Sequence, residues 1–172
     1  MYTIQTNPIA IQSQTMITDA FFELLSHQSY DSITVTALCE KAKVGRKTFY
    51  RNFETMNDII MYRVDHLVKD YVENQPNLNN RRQLLIYFFN TCKQNIDILI
   101  PLYKNNLLGY LETQINEISF HNVSLYGENV KSIKYISHFY TAGLVVTAII
   151  WGIGGFEETV EEMAEIIVKA MP

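Results

Sequence analysis

Only two cysteines, Cys39 and Cys92, occur in the 172 residues. They lie far apart and within helical patterns, which excludes a disulfide framework or a paired-thiol metal motif and leaves both as core thiols. Prolines and glycines, four and seven in number, are too few for a fibrous or low-complexity chain. No apolar stretch reaches the roughly 20 residues that span a bilayer; the longest, Ala142 to Ile153, is well short of that. The uncharged opening from Met1 to Thr18 is broken by Gln and Thr, lacks a basic start and has no small-residue cleavage site, so it does not read as a secretion signal. A cytoplasmic protein with no membrane partner is expected. His27, His66, His121 and His138 are scattered without zinc-ligand spacing, and Gly152 to Gly155 has no preceding strand to make a phosphate loop. No catalytic residue, metal or cofactor is expected, and the chain is not read as an enzyme.

What is present is helix. The composition, 48% apolar and 19% charged, is that of an ordinary globular protein. Met16, Ile17, Ala20, Phe21, Leu24 and Leu25 recur at three- and four-residue spacing and predict a first helix from about Ile9 to His27. Thr34 offers a cap oxygen before a short second helix carrying Val35, Leu38, Cys39 and Ala42. Gly45 can start a third, with Phe49 and Phe53 inward and Arg46, Lys47, Tyr50 and Arg51 pointing elsewhere. A long fourth helix is predicted from near Thr55 to Glu73, then helices over about 81–94, 96–105 and 107–119, with Pro101 expected to end or kink the second of these. Residues Phe120 to Gly127 read as a loop.

The last two helices are the most apolar part of the chain. Ile136, Tyr140, Leu144, Ala148 and Trp151 recur along one of them, which closes at Gly152–Gly155. Its partner is predicted to begin near Glu157, with Val160, Met163 and Ile167 facing inward. These eight residues are the expected seam of a four-helix homodimer interface, the alternative being an intrachain hairpin.

Against the net charge of −4, Lys41, Lys43, Arg46, Lys47 and Arg51 fall within eleven residues that contain no Asp or Glu. A local cationic patch on a short helix, within an acidic protein, is the footprint of a compact DNA reader. The run from Ile33 to Phe53, preceded by Ile17, Ala20, Leu24 and Tyr30, resembles the DNA-binding signature of TetR-family transcription regulators. The stretch from Phe139 through Trp151 and Gly154–Gly155 to Met163 looks like the C-terminal half of a subgroup that includes dihydroxyacetone-kinase-linked regulators.

The resemblance implies an all-α fold: a helix-turn-helix DNA-binding domain over residues 1–53, then a helical regulatory and dimerisation domain over 54–172 whose first part, 54–75, is the connecting helix, about nine helices in all. It implies Arg46, Lys47 and Thr48 at base edges and Thr36, Tyr50, Arg51 and Asn52 on phosphates of a palindromic double-stranded operator. A small-molecule or protein effector is implied too. Phe88, Phe89, Cys92, Tyr103, Tyr110, Phe139 and Tyr140 are the candidate pocket residues, with simple core packing as the alternative. Three departures from the family pattern stand out: Lys43 where Gly is usual in the turn, Asn52 and Met56 where His and Lys are common, and Gln12 and Gln14 where basic residues usually begin the first helix. They leave open a helical adaptor that has lost specific DNA binding.

Overall fold

The computed structural model describes residues 2–76, 80–119 and 133–170, and these are helical with no strand among them. Asn7 accepts the Ile9 amide at 2.9 Å and Pro8 fills the first turn, where a missing N–H costs nothing, so α1 (Pro8–His27) begins there. A 3-10 turn over Tyr30–Ser32 leads to α2 (Val35–Lys41), capped as its sequence predicts by Thr34, whose hydroxyl accepts the Ala37 amide at 3.1 Å. Lys43 takes the left-handed conformation, φ 54°, that the family usually gives to glycine. The Val44 amide then reaches back to the Cys39 carbonyl at 3.0 Å and closes the end of α2. That conformation costs a residue bearing Cβ roughly 1 kcal/mol.

From Gly45 the chain enters α3 (Arg46–Asn52), and after Phe53 and Glu54 it enters α4 (Met56–Glu73). Thr55 and Asp58 form a reciprocal capping box at the head of α4. The body follows as α5 (Arg81–Gln94), α6 (Ile96–Lys104), α7 (Leu108–Ser119), α8 (Ile133–Ile153) and α9 (Val160–Ala170). The Phe120–Gly127 segment lies outside the described residues.

Helix α6 runs past Pro101 to Lys104, within the range its sequence predicts, and Pro101 at its sixth position offers no N–H to the Asp97 carbonyl. One boundary corrects the sequence expectation. The last helix begins at Val160 and not near Glu157, because Thr159 caps it: its amide and hydroxyl donate to the Glu162 carboxylate at 2.8 and 2.9 Å.

One continuous core joins the N-terminal helices to the body. Ile17, Phe21, Leu25, Leu38, Phe49 and Phe53 share one core with Ile59, Ile60 and Val64 of α4 and with Ile98 and Leu102 of α6, which packs on α1. Helix α5 packs on α8 and α9, with Phe89 edge-on to Trp151 at 5.9 Å and the Trp151 indole N–H donating to the Glu158 carbonyl. At Gly152 an added Cβ would lie 2.5 Å from the end of the Ile96 side chain, which would have to move aside where α8 approaches α6. No helix among the described residues is long and apolar enough to cross a membrane.

Candidate nucleic-acid interface

Helix α3 is short, and its two faces differ sharply. Phe49 and the following Phe53 are buried with their rings 6.3 Å apart, and Leu38 and Ile17 are fully buried in the same core. The opposite face presents Arg46, Lys47, Tyr50 and Arg51 to solvent, with Thr48 half-buried between them. Tyr50 stands edge-on to Phe49 at 5.1 Å, so the buried ring braces the exposed one. Thr36, on the first turn of α2, is also exposed. These six side chains therefore sit on the outer surface of a two-helix unit whose inner surface is anchored to α1.

Lys41 and Asn52 are placed differently from the others. Lys41 forms an ion pair with Glu23 of α1, so it fastens α2 to α1 and adds less positive charge to the surface than the sequence suggests. Asn52 corrects the expectation directly. Its side chain is completely buried: the amide donates to the Thr48 carbonyl at 2.8 Å and its oxygen accepts from Gln5 at 3.1 Å. An amide spent on those partners, without solvent access, does not reach a phosphate.

The candidate pocket residues differ in their surroundings. Phe89 and Cys92 are core, and burial pushes the Cys92 thiol well above its ordinary range. Phe88 packs against Tyr71 and Phe89, Tyr103 is on the surface, Tyr140 is half-buried, and Phe139 projects outward at 75% exposure. Tyr110 lines an open cleft between α4 and α7, about 360 Å³ in volume, together with Met61, Asn106, Leu107, Thr113 and Gln114.

Residues of the predicted dimer seam are largely taken up by the chain's own core. Ala148, Trp151, Val160 and Met163 are buried within the single chain, and Leu144 and Ile167 are half-buried against the same core. The side chain of Ile136 lies outside the described residues. The outward stripe of α8 is Tyr135, Phe139, Ile150 and Ile153, with exposed Gly143 between them, and Ile166 on α9 is exposed as well. Helix α8 is apolar on both sides, so its periodicity reveals a seam without saying which face the chain's own α5 takes.

Sequence reasoning missed two features that hold the reading unit in place. The first is the stretch from Tyr2 to Gln5, which folds back over α1, α3 and α4. The second is Asn105 at the end of α6, whose oxygen accepts the Tyr30 amide at 2.8 Å. Gln14 carried a usable signal: it falls in step with Ala10, Ile17 and Phe21 on the buried face of α1.

Comparison with known proteins adds the family. Residues 17–61 match the profile described as bacterial regulatory proteins, tetR family, and residues 79–172, more than half of the chain, match that of a transcriptional regulator C-terminal region. Among solved structures, Lin0861 from Listeria innocua is 15% identical, covering 98% of this chain and 93% of its own at a TM-score of 0.80. The dihydroxyacetone kinase operon activator DhaS is 17% identical, with 93% and 94% covered at a TM-score of 0.64. FadR from Bacillus subtilis, solved in complex with stearoyl-CoA, is 14% identical, with 90% and 95% covered at a TM-score of 0.62. At such identities the likeness is one of fold. No curated protein matches the chain.

Proposed function

Because the chain belongs to the TetR family of transcription regulators, we propose that it acts as a homodimer whose two α3 helices enter successive major grooves of a palindromic operator. The observation that carries this reading is the two-sidedness of α3: a helix whose first turn bears Arg46 and Lys47 in solvent while Phe49 locks it from behind. In a helix-turn-helix the N-terminal residues of the second helix reach base edges. Arg46 and Lys47 then pair with guanine O6 and N7, and Thr48 meets a thymine methyl. Thr36, Tyr50 and Arg51 hold phosphates and set register.

One head contacts too few bases to find a unique site, so two must be held about 34 Å apart or somewhat more. The outward stripe of α8 with Ile166 of α9 serves as the joint, since exposed aliphatic and aromatic side chains in a row are costly unless a second copy covers them. Effector control is assigned to the α4–α7 cleft. The side chains that line it carry no charge and offer two amides, two hydroxyls and apolar surface. That suits a small neutral molecule and disfavours an acyl-CoA of the kind held by FadR, whose phosphates need cations. The cleft wall begins one residue after Asn105, so an occupant pressing on this turn bears on the contact between α6 and the head.

The test is selection of a binding site from random duplexes, followed by titration over a salt series. Specific binding that weakens steeply with salt is expected. Lys47→Ala is expected to relax the base preference, costing about 1–3 kcal/mol on the selected site, while Tyr50→Ala weakens all sequences alike. Binding by both variants indistinguishable from the parent protein would remove α3 as the recognition helix.

A further inference from the structure

Two of the departures from the family pattern, Gln14 and Asn52, are occupied by the same partner. Gln14 is 2% exposed on α1 and donates to the Thr3 carbonyl at 2.7 Å. The Asn52 backbone carbonyl, at the end of α3, accepts the Thr3 amide at 3.1 Å, and its side chain accepts from Gln5. Both amides face inward and grip an extended N-terminal arm. The arm does not stop at the head. The Tyr2 hydroxyl donates to Asp65 of α4 at 2.6 Å, and its ring stands edge-on to Tyr62 at 5.3 Å, which in turn meets Phe53 at 5.7 Å.

The covalent link between α3 and α4 is only Phe53, Glu54 and Thr55. A joint that short fixes the ends of the two helices without fixing the angle between them, and small φ/ψ changes there swing the head through a wide arc. The arm spans the same joint from outside, with one hand on Asn52 and Gln14 and the other on Asp65. The carboxylate it reaches is sheltered; its second oxygen has no hydrogen-bond partner among the described residues, so the Tyr2 hydroxyl is a donor it loses at some cost.

We propose that Tyr2 and Asp65 are positioning residues for operator binding: through them the N-terminal arm, seated on Gln14 and Asn52, straps the recognition helix to α4 and thereby sets the separation of the two heads in the dimer. The proposal rests on the reading of α3 given above. Tyr2 touches no base in it; it acts through α4.

The experiment uses the full chain and the duplex selected by the parent protein, remade with base pairs added to or removed from between the half-sites, together with a duplex carrying one half-site. The parent is expected to bind best at one spacing and to weaken steeply away from it. Tyr2→Phe keeps the ring and removes the strap bond. It is expected to bind the single half-site within about twofold of the parent, lose about tenfold at the best spacing, the worth of one or two hydrogen bonds to a charged group, and discriminate poorly among spacings. Asp65→Asn retains an oxygen for the Tyr2 hydroxyl and is expected to keep the parent's profile. The double variant Tyr2→Phe, Asp65→Leu removes the stranded carboxylate, so it is expected to regain thermal stability and still to discriminate poorly; it carries the comparison if Tyr2→Phe alone fails to fold. A spacing profile for the strap-free variants equal to the parent's, or an equal loss on the single half-site, overturns the strap alone. Failure of the parent to select any site overturns the recognition-helix reading and the strap with it.

Discussion

Asn105 accepts the backbone amide of Tyr30 at 2.8 Å, and with this one contact the end of α6 is joined to the turn between α1 and α2 across 75 residues of chain. Its amide nitrogen donates to the Pro101 carbonyl at 2.9 Å and, more loosely at 3.4 Å, to that of Leu25. The Tyr30 hydroxyl continues the chain of contacts to Asn57 on α4. Head and body thus meet through a side chain whose donors and acceptor are all used.

Replacing Asn105 with Leu strands the Tyr30 amide and removes the side-chain donor to the Leu25 and Pro101 carbonyls, the latter keeping the backbone amide of residue 105. Net values near 1 kcal/mol per bond, with added cost where a buried group stays unpaired, give an expected loss of about 2–3 kcal/mol. Denaturant titration measures it. Asn105→Asp keeps the acceptor for Tyr30 and loses only the donors, so it is expected to fall between Leu and the parent.

The outward stripe of α8 makes a second expectation. Ile150 is half exposed in the single chain, so Ile150→Glu costs the monomer little and places a charge in the proposed joint. Sedimentation is expected to show a monomer with unchanged helix content. A dimer of parental strength would move the joint elsewhere on the surface.

Acid stability follows from the cap of α4. Burial alone would push the Asp58 carboxyl up, but the hydrogen bonds it accepts, including those from Thr55, reverse this and hold it below the ordinary carboxylate range. Its oxygen receives the Glu54 and Thr55 amides at 3.0 and 2.8 Å. The folded value lies below the unfolded one, so the stabilisation is complete above about pH 4 and is lost as pH falls through the folded value. Asp58→Asn is expected to be less stable than the parent by about 1 kcal/mol at neutral pH, with the gap closing in acid. Urea titrations at several pH values measure it.

The sequence by itself determined the helices, the turn at Lys43 and the exposed face of α3. Those follow from local rules: apolar residues at helical spacing, cap side chains beside the amides they serve, and Phe49 and Phe53 in step beneath Arg46, Lys47 and Tyr50. Lys43 stood where the family keeps glycine, and it takes the left-handed conformation that the turn demands. The tertiary structure alone decided the partners of side chains that are satisfied from far away in the chain. Nothing local tells that Asn52 closes on Gln5, that Gln14 grips Thr3 or that Asn105 caps Tyr30, because each bond joins residues that the fold, not the spacing, brings together. The same holds for α8. A helix apolar on both sides fits equally well with either face inward, and it was the packing of α5, α6 and α7 against α8, with Ala148 and Trp151 inward, that left Phe139 and Ile150 in solvent. Periodicity measures where apolar residues recur; which recurrence is buried depends on the shape of the surface that arrives to cover it.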